Sequence, residues 1–234
     1  MKRHTGLIVA LDTQDVAQAR AWAGAVGPAA GAVKLGLEFA YSAGLDAMAE
    51  VAGGVPLFLD LKLHDIPNTV GSAVRALSHL RPRLLTLHAS GGRAMMEAAR
   101  KACDESFPEG ERPALLAVTV LTSLDDQALA ETGVNDTPRN QVLRLGKLAV
   151  SSGMDGLVCS AHELSPLRDA LGDAPLLVTP GIRPAGSQAG DQKRIMTPAQ
   201  ARDAGADWIV VGRPVTQAAD PAEAARAIAA ELAG

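Results

Sequence analysis

Aromatic residues are scarce in this chain of 234 residues: two Trp, one Tyr and three Phe, 3% in all. That argues against the stacking platforms with which proteins hold single-stranded nucleic acid, and against aromatic walls for sugars. Positive charge is short as well. The 22 Lys and Arg face 26 Asp and Glu, a formal net charge of -4. Neither nucleic acid nor an anionic membrane is therefore expected as a partner, since each needs a basic face. A small anionic ligand stays open, because it needs only a few well-placed cations. The two cysteines, Cys103 and Cys159, stand at no metal-binding spacing and form no disulfide framework, which suits a reducing compartment. No apolar run approaches the ~20 residues of a membrane span. Lys2 and Arg3 precede an apolar stretch over 6–11, but it is too short for a signal sequence and ends in Asp12. A cytoplasmic protein is expected.

Linkers, low-complexity stretches and a GxGxxG turn after the first apolar run are also missing. What is present is alternation. Short β-branched and Leu-rich runs at Leu7–Leu11, Ala32–Leu35, Leu57–Leu61, Leu84–His88, Leu115–Leu121, Gly156–Cys159, Leu176–Thr179 and Trp208–Val211 read as strands. Helix-like segments separate them, around Asp15–Ala25, Glu38–Ala49, Thr69–His79, Arg93–Ala102, Arg139–Ser151, Leu164–Ala170, Pro198–Ala204 and Pro221–Leu232, several opening with a cap or an N1 proline. Eight such units with near-continuous apolar strands predict one (β/α)8 TIM barrel over 1–234, in preference to an open doubly wound sheet. The segment from Asp125 to Thr137 carries no clear signal.

A (β/α)8 barrel does its chemistry at the carboxyl ends of its strands, and here those ends are charged. Asp12 closes the first strand, Lys34 lies on the second, and the third runs Asp60-Leu61-Lys62-Leu63-His64-Asp65. Alternation puts Asp60 and Lys62 on the inner face and Leu59 and Leu61 against the helices. A self-neutralising ion pair is the bland reading. Two acids and two lysines from three adjacent strands favour function instead, because buried charge is costly and seldom kept for stability alone. Asp65 has the wrong parity for that face and belongs to the following loop.

The seventh and eighth strands lead into Gly181-Ile182-Arg183 and Gly212-Arg213. Barrels commonly hold phosphate at these two loops, glycine admitting the anion to the backbone and arginine offering a fork of donors. A phosphorylated ligand is expected. The polar stretch 184–193, with Gly186, Gly190, Gln188 and Gln192, reads as a lid. His64 and His88 at strand ends would allow a metal site beside Asp60, but Lys62 among the ligands would repel the ion. No Ser-His-Asp or Cys-His arrangement stands out.

The block Asp60-Leu61-Lys62-Leu63-His64-Asp65-Ile66-Pro67-Asn68-Thr69 resembles the catalytic signature of the orotidine 5′-monophosphate decarboxylase family in its shorter bacterial form. Ala10-Leu11-Asp12, Val33-Lys34-Leu35-Gly36, Leu121-Thr122-Ser123, Gly181-Ile182-Arg183, Asp191-Gln192 and Val211-Gly212-Arg213 match too, so the resemblance runs from Leu7 to about Arg226. It implies a homodimeric enzyme without metal or cofactor that converts a nucleotide substrate, orotidine 5′-monophosphate, to UMP. Lys62 would give the proton to C6, with Asp60 beside it and Asp65 supplied by the other subunit. Asp12, Lys34 and Thr69 would bind ribose hydroxyls and neighbouring groups, Thr122 and Ser123 would lie near the pyrimidine, and Arg183, Gln192, Gly212 and Arg213 would surround the phosphate. Magnesium-dependent ketogulonate-phosphate decarboxylases and hexulose-phosphate synthases share a similar Asp-x-Lys-x-x-Asp strand, but Ile66-Pro67-Asn68-Thr69 favours the nucleotide enzyme. A Schiff-base aldolase and a non-catalytic sugar-phosphate sensor are further alternatives, the latter disfavoured by the intact Asp60 and Lys62.

Overall fold

Short runs of Leu, Val, Ile and Ala make strands here because both faces of each run find apolar neighbours. The computed structural model describes residues 4–184 and 196–234. Its strands are β1 (Gly6–Ala10), β2 (Ala32–Gly36), β3 (Leu57–Leu63), β4 (Leu84–His88), β5 (Ala114–Val118), β6 (Gly156–Val158), β7 (Leu176–Thr179) and β8 (Trp208–Val211). All pair in parallel and in chain order, and β8 returns to β1 to close the barrel. The predicted single-domain TIM barrel is therefore what the chain forms. Ile8, Ala10, Ala32, Phe58, Leu84, Leu116, Val178 and Val210 pack inside it. Their strand neighbours Leu7, Val9, Val33, Leu57, Leu59, Leu85 and Leu177 turn outward to the helices. At the amino-terminal end the ring of Trp208 lies over Gly6 and Gly31, where an added Cβ would come within 2.2 and 2.5 Å of it. One of the few aromatics thus stops that end.

The helices are α1 (Val16–Val26), α2 (Leu37–Ala43), α3 (Leu45–Ala52), α4 (Pro67–Ala76), α5 (Gly92–Ser106), α6 (Asp126–Glu131), α7 (Pro138–Ser151), α8 (Leu164–Leu171), α9 (Pro198–Asp203), α10 (Arg213–Thr216) and α11 (Pro221–Ala233). Asp15 caps α1 through the amides of Ala17 and Gln18, and proline opens α4, α7, α9 and α11. Two expectations are corrected and one open segment is assigned. The helix predicted over Glu38–Ala49 is two helices, because Gly44 at φ 83 breaks the turn between α2 and α3. The fifth strand stops at Val118, so Leu121 to Ser123 lie in the loop beyond it. The unassigned 125–137 segment contains α6, whose six residues are too few to show a period and whose first turn is capped by Asp125 through the Ala128 amide. Among the described residues no helix is long and apolar enough to cross a membrane.

Close packing at the barrel wall leaves room for nothing at Gly156. A Cβ there would stand 2.4 Å from the carbonyl oxygen of Leu176, on the paired strand. Gly24, in the last turn of α1, has nothing within 4 Å of its own missing Cβ. Gly156→Ala should therefore destabilise the protein by ~1–3 kcal/mol through overpacking. Gly24→Ala should stabilise it by ~0.5–1 kcal/mol through helix propensity. Urea midpoints of the two variants should move in opposite directions; parallel shifts would contradict the packing described.

Candidate active site

The charged residues expected at the strand ends meet as a chain of ion pairs. Asp60 Oδ1 accepts from Lys62 Nζ at 2.8 Å and from Thr86 Oγ1 at 3.0 Å. Its other oxygen lies 3.4 Å from Lys34 Nζ, which in turn donates to Asp12 Oδ1 at 3.3 Å. The side chains of Lys34 and Asp60 each keep only 13% of their exposure, so their charges are held by one another and by Asp12, Lys62 and Thr86 rather than by bulk water. Burial alone would raise the Asp60 carboxyl, but the Lys34 and Lys62 ammoniums, with hydrogen bonds from Lys62 and Thr86, hold it below its ordinary value. Burial likewise opposes the charge on Lys34, yet Asp60 and then Asp12 outweigh it and raise that lysine. The cluster is built to stay ionised.

β3 does not remain regular through this cluster. Its pairing with β4 shifts register between Leu59 and Leu63, and Lys62 takes φ 49, in the left-handed region. Leu61 and Leu63 still pack toward the helices, and the Lys62 side chain turns into the mouth. The shift is of two residues, from Leu59 opposite Leu85 to Leu63 opposite Leu87, so the alternation of faces survives it to the end of β3. The Lys62 amide donates to Thr86 Oγ1 at 2.9 Å. Thr86 escaped the sequence reading. Its signal was a lone hydroxyl in Leu84-Leu85-Thr86-Leu87-His88, two residues from inward-facing Leu84.

Two chambers adjoin at this cluster and share Lys34, Pro180 and Val210 in their walls. One, of about 200 Å³, has Asp60, Lys62 and Thr122 at its rim and Phe58, Val118, Val158 and Val178 around its floor. Cys159 also lines it; burial pushes that thiol up to about 12, so it stays protonated and is no nucleophile. The other, of about 430 Å³, is bounded by Asp12, Gly181, Arg183, Gly212 and Arg213. Arg183 is buried, and both burial and the nearby Arg213 guanidinium lower its pKa. Two guanidiniums in one concavity suit an anion by their chemistry. A larger open cleft, about 910 Å³, lies at the amino-terminal ends of the strands, where Arg100 and Arg112 are paired with Asp104. Conserved chemistry in barrels sits at the opposite end, which is where the two smaller chambers are.

Not every expected residue joins these walls. Asp65 is exposed, and its carboxylate accepts from the Ile66 amide at 2.6 Å. Thr69, in the first turn of α4, and Ser123, in the loop after β5, are exposed as well and line neither chamber. Gln192 and most of the expected lid, including Gly186, Gln188 and Gly190, lie outside the described residues. The two ends of that segment are joined, however, by an Arg183 amide bond to the Met196 carbonyl at 3.0 Å. His64 and His88 stack with ring centroids 5.2 Å apart. Among the described residues no three His, Cys, Asp or Glu side chains could hold a metal ion.

Residues 5–228 match the model of the family described as orotidine 5′-phosphate decarboxylase / HUMPS. A relative named orotidine 5′-phosphate decarboxylase from Gluconobacter oxydans is 63% identical over 100% of this chain and 99% of its own. One of the same name from Rhodospirillum rubrum is 53% identical, covering 97% and 94%. The crystal structure of orotidine 5′-phosphate decarboxylase from Lactobacillus acidophilus superposes with a TM-score of 0.87 at 40% identity, over 98% of this chain and 100% of that one.

The histidine stack sets a pH limit on the fold. Burial, then His64 and Lys62, hold the His88 imidazole below its ordinary 6.5, and Asp60 offsets them only in part. A lowered folded pKa means that the unfolded chain takes up the proton first. The neutral ring thus stabilises the fold above pH 6.5, and that contribution fades as pH falls from there through the folded value. His88→Gln, which cannot titrate, should lose less stability between pH 7.5 and 5.5 than the wild type in urea melts. Equal losses would mean that His88 does not contribute to the acid limb.

Proposed function

The chain belongs to the orotidine 5′-phosphate decarboxylase / HUMPS family, and from that premise we propose that it decarboxylates orotidine 5′-phosphate to UMP and carbon dioxide, the last step of de novo pyrimidine synthesis. The carrying observation is the Asp60–Lys62 pair at the rim of an apolar chamber that adjoins a second chamber holding two arginines. The pyrimidine fills the first, near Thr122, and the phosphate enters the second, between Arg183, Gly212 and Arg213. Asp12 and Lys34 lie between them, in reach of the ribose. The family resemblance assigns Gln192 to the phosphate and Ser123 to the neighbourhood of the base. The whole chain, 1–234, works as one barrel domain. Its buried, unpaired cysteines suit a cytoplasmic enzyme.

The chemistry follows from charge. Breaking the bond from C6 to the carboxylate leaves its electron pair on C6, a carbanion with no ordinary electron sink. Enzymes remove up to ~23 kcal/mol from a barrier, and this reaction needs the upper part of that range. The Lys62 ammonium, fixed by Asp60, stabilises the developing negative charge and then transfers its proton to C6. Ionised Asp60 opposes the substrate carboxylate but not the departing neutral carbon dioxide. No metal or cofactor takes part.

A homodimer accounts for the residues left outside. Tyr41 is 87% exposed and Ile66 66%, with Leu37 and Leu45 also exposed, apolar side chains on the helices and loop that follow β2 and β3. Asp65 and Thr69 flank Ile66 in the chain. Pairing these elements with a second copy would bury those side chains and carry Asp65 and Thr69 to the partner's site.

Purified protein should consume orotidine 5′-phosphate, followed by its ultraviolet absorbance, with EDTA present. Lys62→Ala should lower turnover at least about a thousandfold while UMP still binds. Near-normal turnover in the folded variant removes Lys62 as proton donor, and a requirement for magnesium moves the assignment to sugar-phosphate chemistry.

The shared site has its own test. Lys62→Ala and Asp65→Asn homodimers are each impaired at both sites, but a mixed dimer has one site with native Lys62 and native Asp65. Random assembly makes about half the dimers mixed, so roughly a quarter of all sites should be wild type. Co-expression should restore about that fraction of activity. No recovery, in a sample that mass spectrometry shows to contain mixed dimers, means that Asp65 serves its own chain.

A further inference from the structure

A hydroxyl in the fully buried middle of a strand needs partners, and those of Thr86 fix its orientation. The Lys62 amide can only donate, and the Asp60 carboxylate can only accept. Thr86 Oγ1 therefore offers a lone pair to the amide, at 2.9 Å, and its one proton to Asp60 Oδ1, at 3.0 Å. Both bonds fall where β3 and β4 lose their common register, between Leu59 and Leu63. An amide at such an irregularity lacks its regular ladder partner, and the threonine hydroxyl supplies one. It also supports a backbone conformation, φ 49 at Lys62, that a residue with a long side chain rarely adopts.

Strand parity already gives the lysine its face, and that conformation sets the angle at which its side chain leaves the strand. A left-handed residue directs its Cα–Cβ bond differently from an extended one, so relaxation of Lys62 toward a regular strand would carry Nζ away from its present position. The same hydroxyl fixes the carboxylate oxygen to which Nζ is bonded. We propose that Thr86 is a positioning residue for the decarboxylation, its single hydroxyl tying the strained main chain of Lys62 to the carboxylate of Asp60 so that the ammonium faces the reacting carbon. This rests on the reading of the reaction given above. Thr86 itself lines neither chamber. Its influence passes through Lys62 and Asp60.

The test compares Thr86→Val, which keeps the shape and removes the hydroxyl, with Thr86→Ser, which keeps the hydroxyl and removes the methyl. Thr86→Val should lower kcat for orotidine 5′-phosphate by about 10–100-fold, with KM and UMP affinity within about threefold of wild type, because misplacing a reacting group by about an ångström costs on that order. Thr86→Ser should recover most of the lost kcat. The acid limb of the kcat profile should move to higher pH in Thr86→Val, since Asp60 loses a bond that favours its ionised form. Should Thr86→Val fail to fold, Thr86→Cys, whose thiol is a weak donor, gives the same comparison. Full kcat in a folded hydroxyl-free variant would falsify the proposal, as would equal losses in Thr86→Val and Thr86→Ser, which would indicate packing. A wild type that binds UMP but does not consume orotidine 5′-phosphate overturns the reaction instead.

Discussion

Asp60 presents one oxygen to Lys34 and the other to Lys62 and Thr86, and the site depends on that division. A carboxylate or an ammonium taken out of water alone costs several kcal/mol. Lys34 and Lys62 can both stand at the barrel mouth because Asp60 answers both, and Asp60 can be buried because both answer it. Asp12, more open to water, takes up the rest of the Lys34 charge, so the four groups sum to zero. Ion clusters of this kind seldom add stability over apolar residues of similar size. Losing one member is a different matter, since it leaves an unanswered buried charge and costs ~3–5 kcal/mol. The cluster is a burden on the fold that chemistry explains and packing does not.

Barrel register assembles these groups from four consecutive strands or their ends. Lys34 pairs with Phe58 in the sheet, not with Asp60, whose partner is Gly36. The lysine must therefore reach two residues toward the carboxyl end, and its long stem allows that. Shortness at Gly36 helps, for a Cβ there would come within 3.4 Å of Lys34 Nζ. β3 then runs past its neighbour and shifts register with β4 by two residues, with Lys62 in the shifted stretch. Such irregularities are common beside active sites, where they re-aim a side chain.

Much of this was legible from the chain alone, and the boundary has a physical reason. Asp12, Lys34, Asp60, Lys62, Arg183 and Arg213 were found because charge is conspicuous at the end of an apolar run. Strand positions β4, β7 and β8 were read to the residue, since each is bounded by turn residues or by a change in periodicity. The break at Gly44, the early end of β5 and helix α6 were not, because local patterns there are short or ambiguous. Thr86 was missed for a deeper reason. Its bond is to an amide 24 positions away in sequence, which no local pattern expresses. Asp65 lies beyond β3 and is exposed, in the loop to which its parity assigned it.

The two kinds of cation in the site do different work. The lysine end is internally neutral, with Asp12 and Asp60 answering Lys34 and Lys62, so it exerts little net pull on an anion. At the other end, burial and Arg213 together work against the charge on Arg183. An anion placed between those guanidiniums would be met by both. On the proposed reading, a substrate with a phosphate at one end and a carboxylate at the other is thereby given one orientation. Phosphate goes to the arginines, and the carboxylate is left to face Asp60 and Lys62. Affinity gained at the phosphate can then hold the carboxylate against a carboxylate, a contact unfavourable in the ground state and relieved as carbon dioxide leaves.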